Sequence, residues 1–262
     1  MRNPWPAFAA CLFMSLLAAC AHRSAPATRE AARWSNATQL ILVTTPDWNT
    51  PAGTLRTFER SGGGWTQIGH ATPVTIGRTG AAWGLGLNDV PADGPRKREG
   101  DGRSPAGVFA IGTAFGYAAQ ARTALPYAPM DANDYCIDVP GSTLYNRIVD
   151  ATEVGAGAVA GSTEPMRRDL HADGDQRYRL GFVIEHNAGA RPSAGSCIFA
   201  HLWKSPQDAT AGCTAMADVE MERILAWLDP ARHPVFVLLP DAEYAKRGVD
   251  WQLPARAADK PR

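Results

Sequence analysis

Residues 195–216 read GSCIFAHLWKSPQDATAGCTAM. The run Ser196 to Trp203 is apolar, aromatic and β-branched, and Gly195 and Pro206 bound it, which predicts a strand. Strand alternation sets Cys197, Phe199 and His201 on one face and Ile198, Ala200 and Leu202 on the other. A polar loop, Lys204 to Ala211, then delivers Thr210-Ala211-Gly212-Cys213 to what reads as the start of a helix. A His at a strand end and a Cys on a Gly-preceded turn meet if that loop folds back. Such a pair is the minimum for thiolate catalysis, in which His201 takes the thiol proton and holds an ion pair with the nucleophile Cys213.

Working outward, the other segments read as strands and turns. Gln39 to Thr45 is a buried strand, and Gly53 to Arg60 and Trp65 to Ile76 flank a Ser61–Gly64 turn as the start of an antiparallel meander. Val108 to Tyr117, Tyr135 to Val139, Arg177 to His186 and Val235 to Leu239 are further strands. Pro105 and Gly107 read as the turn that opens the first of these, and Lys97, Arg98 and Arg103 as a solvated basic rim. Residues 150–163 are small and Gly/Ala-rich, a loop over the site. After Cys213 the period becomes helical, with Met221, Ile224, Leu225 and Leu228 in one apolar stripe, Asp218 as N-cap and Asp229-Pro230 as the stop. A chain of 262 residues that is 45% hydrophobic can bury a full core, and its 25 Gly and 20 Pro favour a mainly β, turn-rich architecture. Lys+Arg and Asp+Glu are 26 each, so no basic excess points to nucleic acid.

Residues 1–19 read as a lipoprotein signal peptide: Arg2, then an apolar stretch from Ala7 to Leu17 that is short for a bilayer span. It ends Leu17-Ala18-Ala19-Cys20, which resembles a bacterial lipobox, with Cys20 the residue to be lipidated. Residues 20–36 read as a flexible tether, 37–240 as the catalytic domain and 241–262 as a charged surface tail. The location implied is the periplasm, on a membrane through the N-terminal lipid, with Ala21 after the Cys favouring the outer membrane.

The Ile198-Phe199-Ala200-His201 strand with the Thr210-Ala211-Gly212-Cys213 turn resembles the L,D-transpeptidase (YkuD-like) catalytic domain, in its divergent branch with an IFxH strand and a TAGC turn. The segments Lys97–Phe109, Tyr145-Asn146-Arg147 and Glu164-Pro165-Met166 are similar to elements of that branch. One departure is Ala215, where many members carry an Arg two residues after the Cys. The resemblance implies an L,D-transpeptidase-like β-sandwich or barrel with few short helices, one of them after the catalytic Cys. It implies an acyltransferase acting on peptidoglycan stem peptides through a Cys213 thioester, with no cofactor and no metal. An envelope protein is a possible acyl acceptor. In that reading His201 is general base and acid, Gly212 supplies an oxyanion-binding backbone group, Thr210 orients, and His186 and Arg168 are candidates for substrate binding. With Cys213 as nucleophile, Cys136 and Cys197 are either a disulfide worth roughly 2–4 kcal/mol or two buried thiols.

Three alternatives stand beside this reading. Water in place of an amine gives an L,D-carboxypeptidase or a hydrolase of protein–peptidoglycan links. A zinc hydrolase would use His186, His201 and Cys213, at a spacing that matches no common zinc motif. A peptidoglycan-binding lipoprotein without catalysis would leave Cys213 no more reactive than Cys136 or Cys197.

Overall fold

The strand Gln39–Thr45 (β1) is buried along nearly its whole length, which its Leu-Ile-Leu-Val run demands. It pairs antiparallel with Ala52–Ser61 (β2) and parallel with the last strand of the chain, Val235–Pro240 (β13). The computed structural model describes residues 31–255, together with Met1. The signal peptide, Cys20 and most of the expected tether therefore lie outside the described residues. Among the described residues no helix is long and apolar enough to cross a membrane.

Between β2 and β13 come Gly64–Thr75 (β3), Ala81–Trp83 (β4), Ser104–Gly116 (β5) and Tyr127–Pro129 (β6). There follow Asp134–Cys136 (β7), Ile148–Asp150 (β8), Ala151–Val154 (α1), Glu164–Pro165 (β9) and Arg168–His171 (α2). Leu180–Ile184 (β10), Phe199–Leu202 (β11), Thr214–Met216 (β12) and Asp218–Trp227 (α3) precede β13, and Asp241–Arg247 (α4) follows it. The main sheet runs β10-β11-β12-β3-β2-β1-β13-β5, and β5 then pairs with β10 again. That last pairing closes an eight-stranded barrel, which removes the open edges a sheet of this size would otherwise expose. β7, β8 and β9 form a separate three-stranded sheet.

Two apolar clusters divide along the strand faces. The larger joins Ile198, Ala200 and Leu202 of the β11 stretch with the Met221, Ile224, Leu225 and Leu228 stripe of α3. The smaller lies between the opposite face and the three-stranded sheet, and holds Phe115, Cys136, Met166, Tyr178, Cys197, Phe199 and Cys213. The alternation expected from residues 197–202 is thus the division between the two cores.

Several expectations change. The segment after Cys213 is first a strand, β12, paired in parallel with β11; only then does α3 begin, at Asp218, with Ala217 as N-cap. Asp218 pairs with Arg179 instead of capping, and Asp229 caps the 3-10 turn Pro230–Arg232. Pro105 sits inside β5 against Ala82, not in a turn. Residues 150–163 carry α1 and a second 3-10 turn, Ala156–Ala158. Neither the tether nor the tail keeps its expected boundary. Trp34 ends a 3-10 turn (Ala31–Trp34) and donates its indole N–H to the Trp251 carbonyl at 3.2 Å. Trp34 and Trp251 are both 2% exposed and meet edge to face at 5.9 Å, with Trp83 at 6.3 Å from Trp251. Three indoles that can bury against one another outweigh the charged composition around them, so 31–36 and 241–255 belong to the folded unit.

Candidate active site

The Thr210–Cys213 turn is tied from both ends. The Thr210 hydroxyl accepts from the Gly212 N–H at 3.1 Å and donates to the Cys213 carbonyl at 2.6 Å, and the Ser104 hydroxyl donates to the same carbonyl at 2.9 Å. Thr210 therefore shapes the turn and does not orient His201. The Gly212 N–H is already bonded within the turn, which corrects its expected role as an oxyanion donor. What Gly212 supplies is room: a Cβ there would stand 3.1 Å from the Arg103 carbonyl oxygen.

Cys213 is the free cysteine among the described residues and is 7% exposed. Its sulfur accepts from the Phe199 N–H at 3.3 Å and faces the Cys197 carbonyl at 3.5 Å. His201 pairs with Ala215 across β11 and β12, so Cys213, two residues earlier, lies on the same face of the neighbouring strand. The Cys213 sulfur is held there at the Phe199 N–H, two residues before His201 on β11, and Tyr178 packs against the His201 ring on that side. The His201 Nδ1 lies 2.7 Å from the Leu202 carbonyl, which can only accept; Nδ1 therefore carries the proton and Nε2 the lone pair. That is the tautomer of a general base.

The resting pair is neutral. Burial pushes the Cys213 thiol up to about 12, and the Glu164 carboxylate adds to this, against hydrogen bonds from Phe199 and Tyr178. Burial lowers His201 to about 4, and Arg177 and Arg168 lower it further, against its bond to Leu202. Burial thus opposes the thiolate–imidazolium ion pair expected from sequence. The helix start expected to stabilise a thiolate is displaced by β12, and a helix-end field fades within one turn.

Tyr178 and Glu164 complete the surroundings, and both escaped the sequence reading. Tyr178 is 4% exposed, donates to Glu164 Oε1 at 2.7 Å and meets the His201 ring edge to face at 5.1 Å. Glu164 fell within a quoted segment, yet nothing in the sequence joins it to Tyr178, fourteen residues on. Arg168 bonds Glu164 at 3.2 Å and Asp175 at 2.8 Å, so it stands beside the site as a scaffold charge. Asp175 is held below the usual carboxylate range: burial opposes this, but the hydrogen bonds from Arg177 and Arg168 prevail.

Cys136 and Cys197 form a disulfide, with Cα atoms 5.9 Å apart. Cys197 is in the left-handed region (φ 54°), and its N–H donates to Asn146 Oδ1 at 2.8 Å. His186 is not available to a substrate or a metal: Nδ1 accepts from the Leu85 N–H at 3.2 Å and Nε2 donates to the Ala194 carbonyl at 3.0 Å. The basic loop is not a solvated rim either. Lys97 is buried and bonds Asp101 at 2.6 Å, while Arg103 bonds the Trp48 and Ala81 carbonyls at 2.8 Å; Arg98 is exposed. Comparison with models of known protein families, with curated proteins and with solved structures finds no match for this chain.

Proposed function

We propose that this chain is a cell-envelope L,D-transpeptidase-like cysteine enzyme acting on peptidoglycan stem peptides. The observation that carries the reading is the placement of Cys213. It sits on a doubly anchored turn, on the same face as a His201 whose tautomer leaves Nε2 as a base. A buried structural thiol needs neither feature.

In this reading Cys213 attacks the carbonyl that precedes the terminal D-Ala of a tetrapeptide stem. With both groups neutral at rest, the thiol proton passes to His201 Nε2 as the carbon–sulfur bond forms, and not beforehand. The same proton then goes to the leaving D-Ala amine. An amine of a second stem or of an envelope protein resolves the thioester, or water does so in a hydrolytic variant. Ala215 is buried beside His201, so no Arg is available there for a substrate carboxylate. The barrel with few helices is compatible with an L,D-transpeptidase fold. Lipidation at Cys20 would hold the domain on the periplasmic face of the outer membrane.

The test is mass spectrometry of the purified full chain incubated with disaccharide-tetrapeptide, beside Cys213→Ala and His201→Ala. Cross-linked dimers lacking one D-Ala establish transpeptidation, and tripeptide alone establishes the hydrolytic branch. Absence of both, with no acyl adduct on Cys213, refutes the proposal and leaves a binding lipoprotein.

A further inference from the structure

A groove of about 760 Å³ runs between the three-stranded sheet and the barrel wall made by β5 and β10, a size that takes a ligand of several residues. Its floor is apolar, lined by Phe115, Met130, Ile148, Val183 and Phe199. Its rim is acidic on both sides. Asp131, Asp134 of β7, Asp150 of β8 and Glu153 of α1 stand on one wall. Glu185 stands on the other, with its carboxylate over Gly112 of β5. Against these five carboxylates, Arg147 is the one Lys or Arg among the described lining residues. None of the six is in an ion pair among the described residues. The chain as a whole balances its charges at 26 of each sign, so the excess here is local.

Among the described residues no three His, Cys, Asp or Glu side chains are grouped to hold a metal ion, so these charges are spread along the groove and not focused on a point. That spread suits a ligand with several separated positive charges. β8 adds a main-chain element. The Ile137 N–H to Arg147 carbonyl and Ala151 N–H to Asn133 carbonyl bonds, both 2.9 Å, bracket the β7–β8 ladder. Antiparallel pairing alternates, so Val149 turns its N–H and carbonyl to β7 and Ile148 turns its own away. β8 is the edge of its sheet, and the outward Ile148 groups make no backbone bond among the described residues. Such an edge is a template for another strand. We propose that this groove docks an extended, basic segment of a partner polypeptide, which adds a strand at β8, lays alternate apolar side chains on the floor and sets its Lys or Arg side chains against the carboxylates.

The rim is short of positive charge. Burial pushes the Asp134 carboxyl up against its bond to the Asp131 N–H, and the charges of Asp131, Asp150 and Glu153 push it further. Burial raises Glu185 as well. The Glu153 and Glu185 carboxylates accept no hydrogen bond among the described residues. Cationic side chains of a partner relieve both the crowding and the missing bonds. An acidic peptide is repelled, a stem that ends in a free carboxylate included, so the segment is a partner distinct from the proposed substrate. The groove reaches Phe199, whose N–H holds the Cys213 sulfur, and Cys136 of the disulfide. A polypeptide seated there lies beside the thiol, yet its binding does not depend on Cys213 being a nucleophile.

The experiment is calorimetric titration of the purified full chain, at low salt, with an amidated peptide of alternating lysine and valine. Binding is expected, and a peptide of alternating glutamate and valine should not bind. Glu153→Gln/Glu185→Gln removes two charges whose carboxylates hold nothing in the fold, and should weaken binding about fivefold. Methylation of the backbone nitrogens of the probe should abolish binding, because an added strand needs its N–H groups. No binding, unchanged affinity in the double variant, or full affinity of the methylated probe overturns the proposal. Equal affinity of a lysine–serine peptide overturns it too, since charge would then suffice without the apolar floor. So does lysine amide binding as tightly as the peptide, which would make this a site for a small amine. The comparisons between probes need no variant. Calorimetry needs no peptidoglycan turnover, so failure of this site is read apart from failure of the proposed reaction.

Discussion

Removing the Cys136–Cys197 disulfide should weaken the fold and disturb the Cys213 thiol together. The bridge joins residues 61 apart in sequence. In the chain-entropy account a loop of that length contributes about 4 kcal/mol by restricting the unfolded chain. Locally, Cys197 holds a left-handed backbone and turns its carbonyl to the Cys213 sulfur at 3.5 Å. An unbridged residue at that position bears a cost of roughly 1–2 kcal/mol that nothing then compels it to accept. The double variant Cys136→Ala/Cys197→Ala, which leaves no new thiol, should therefore unfold earlier in urea. With a slope of about 2–3 kcal/mol/M, the midpoint should fall by roughly 1–2 M. Alkylation of Cys213 should quicken at the same time, because Cys136 and Cys197 help to cover it. A midpoint within about 0.3 M of wild type would refute the reasoning, since it would mean that the small sheet and the barrel hold together without the bridge.

Further outcomes follow from the same contacts. Trp251→Ala should cost about 3–5 kcal/mol in urea unfolding, because the side chain fills the space between Trp34 and Trp83. Asn146→Ala should cost about 3 kcal/mol: its amide bonds the His186 and Asn187 carbonyls, its oxygen accepts from Cys197, and it has a φ of 63°. Stability should rise between about pH 4 and 6.5, because His186 and His201 are each lowered to about 4 by burial while the unfolded chain still binds their protons. The slope is about 1.4 kcal/mol per pH unit for each histidine, fully lost below pH 4, and urea midpoints in His186→Gln should show it halved.

How much of this could be read in advance depended on whether a segment carries its own period. β1 was legible to the residue because a run of seven positions, all but Thr44 buried, has no competing pattern. The α3 stripe and the alternation around His201 were legible for the same reason. β12 was not, since three residues are too few to show any period, and its place is set by β11 and β3. Trp251 was hidden among charges, and its partners lie at positions 34 and 83. At the site, Cys213 and His201 could be named from a motif, but their neutral state could not. That comes from burial beneath the three-stranded sheet, whose β9 brings Glu164 to Tyr178. Pairings of that kind arise only when distant segments fold together.

The shortest ladder of the closed barrel joins β12 to β3, and the Thr210 N–H to Ile76 carbonyl (2.9 Å) and Arg78 N–H to Thr210 carbonyl (2.8 Å) bonds extend it past the strand ends. β12 meets β3 in register only where Ala215 stands opposite Thr75, whereas the pairings of β12 with β11 and of β5 with β10 run over several residues. Thr75 is 4% exposed, and its hydroxyl has no hydrogen-bond partner among the described residues, so the join also carries a buried polar group left unsatisfied. Local opening costs less where fewer backbone bonds must break. Cys213 is the residue just before β12. The Cys213 thiol thus lies at the end of the barrel's shortest ladder, next to the bonds that join Thr210 to Ile76 and Arg78, and amide hydrogen exchange at Ala215 and Thr75 measures how often that ladder opens.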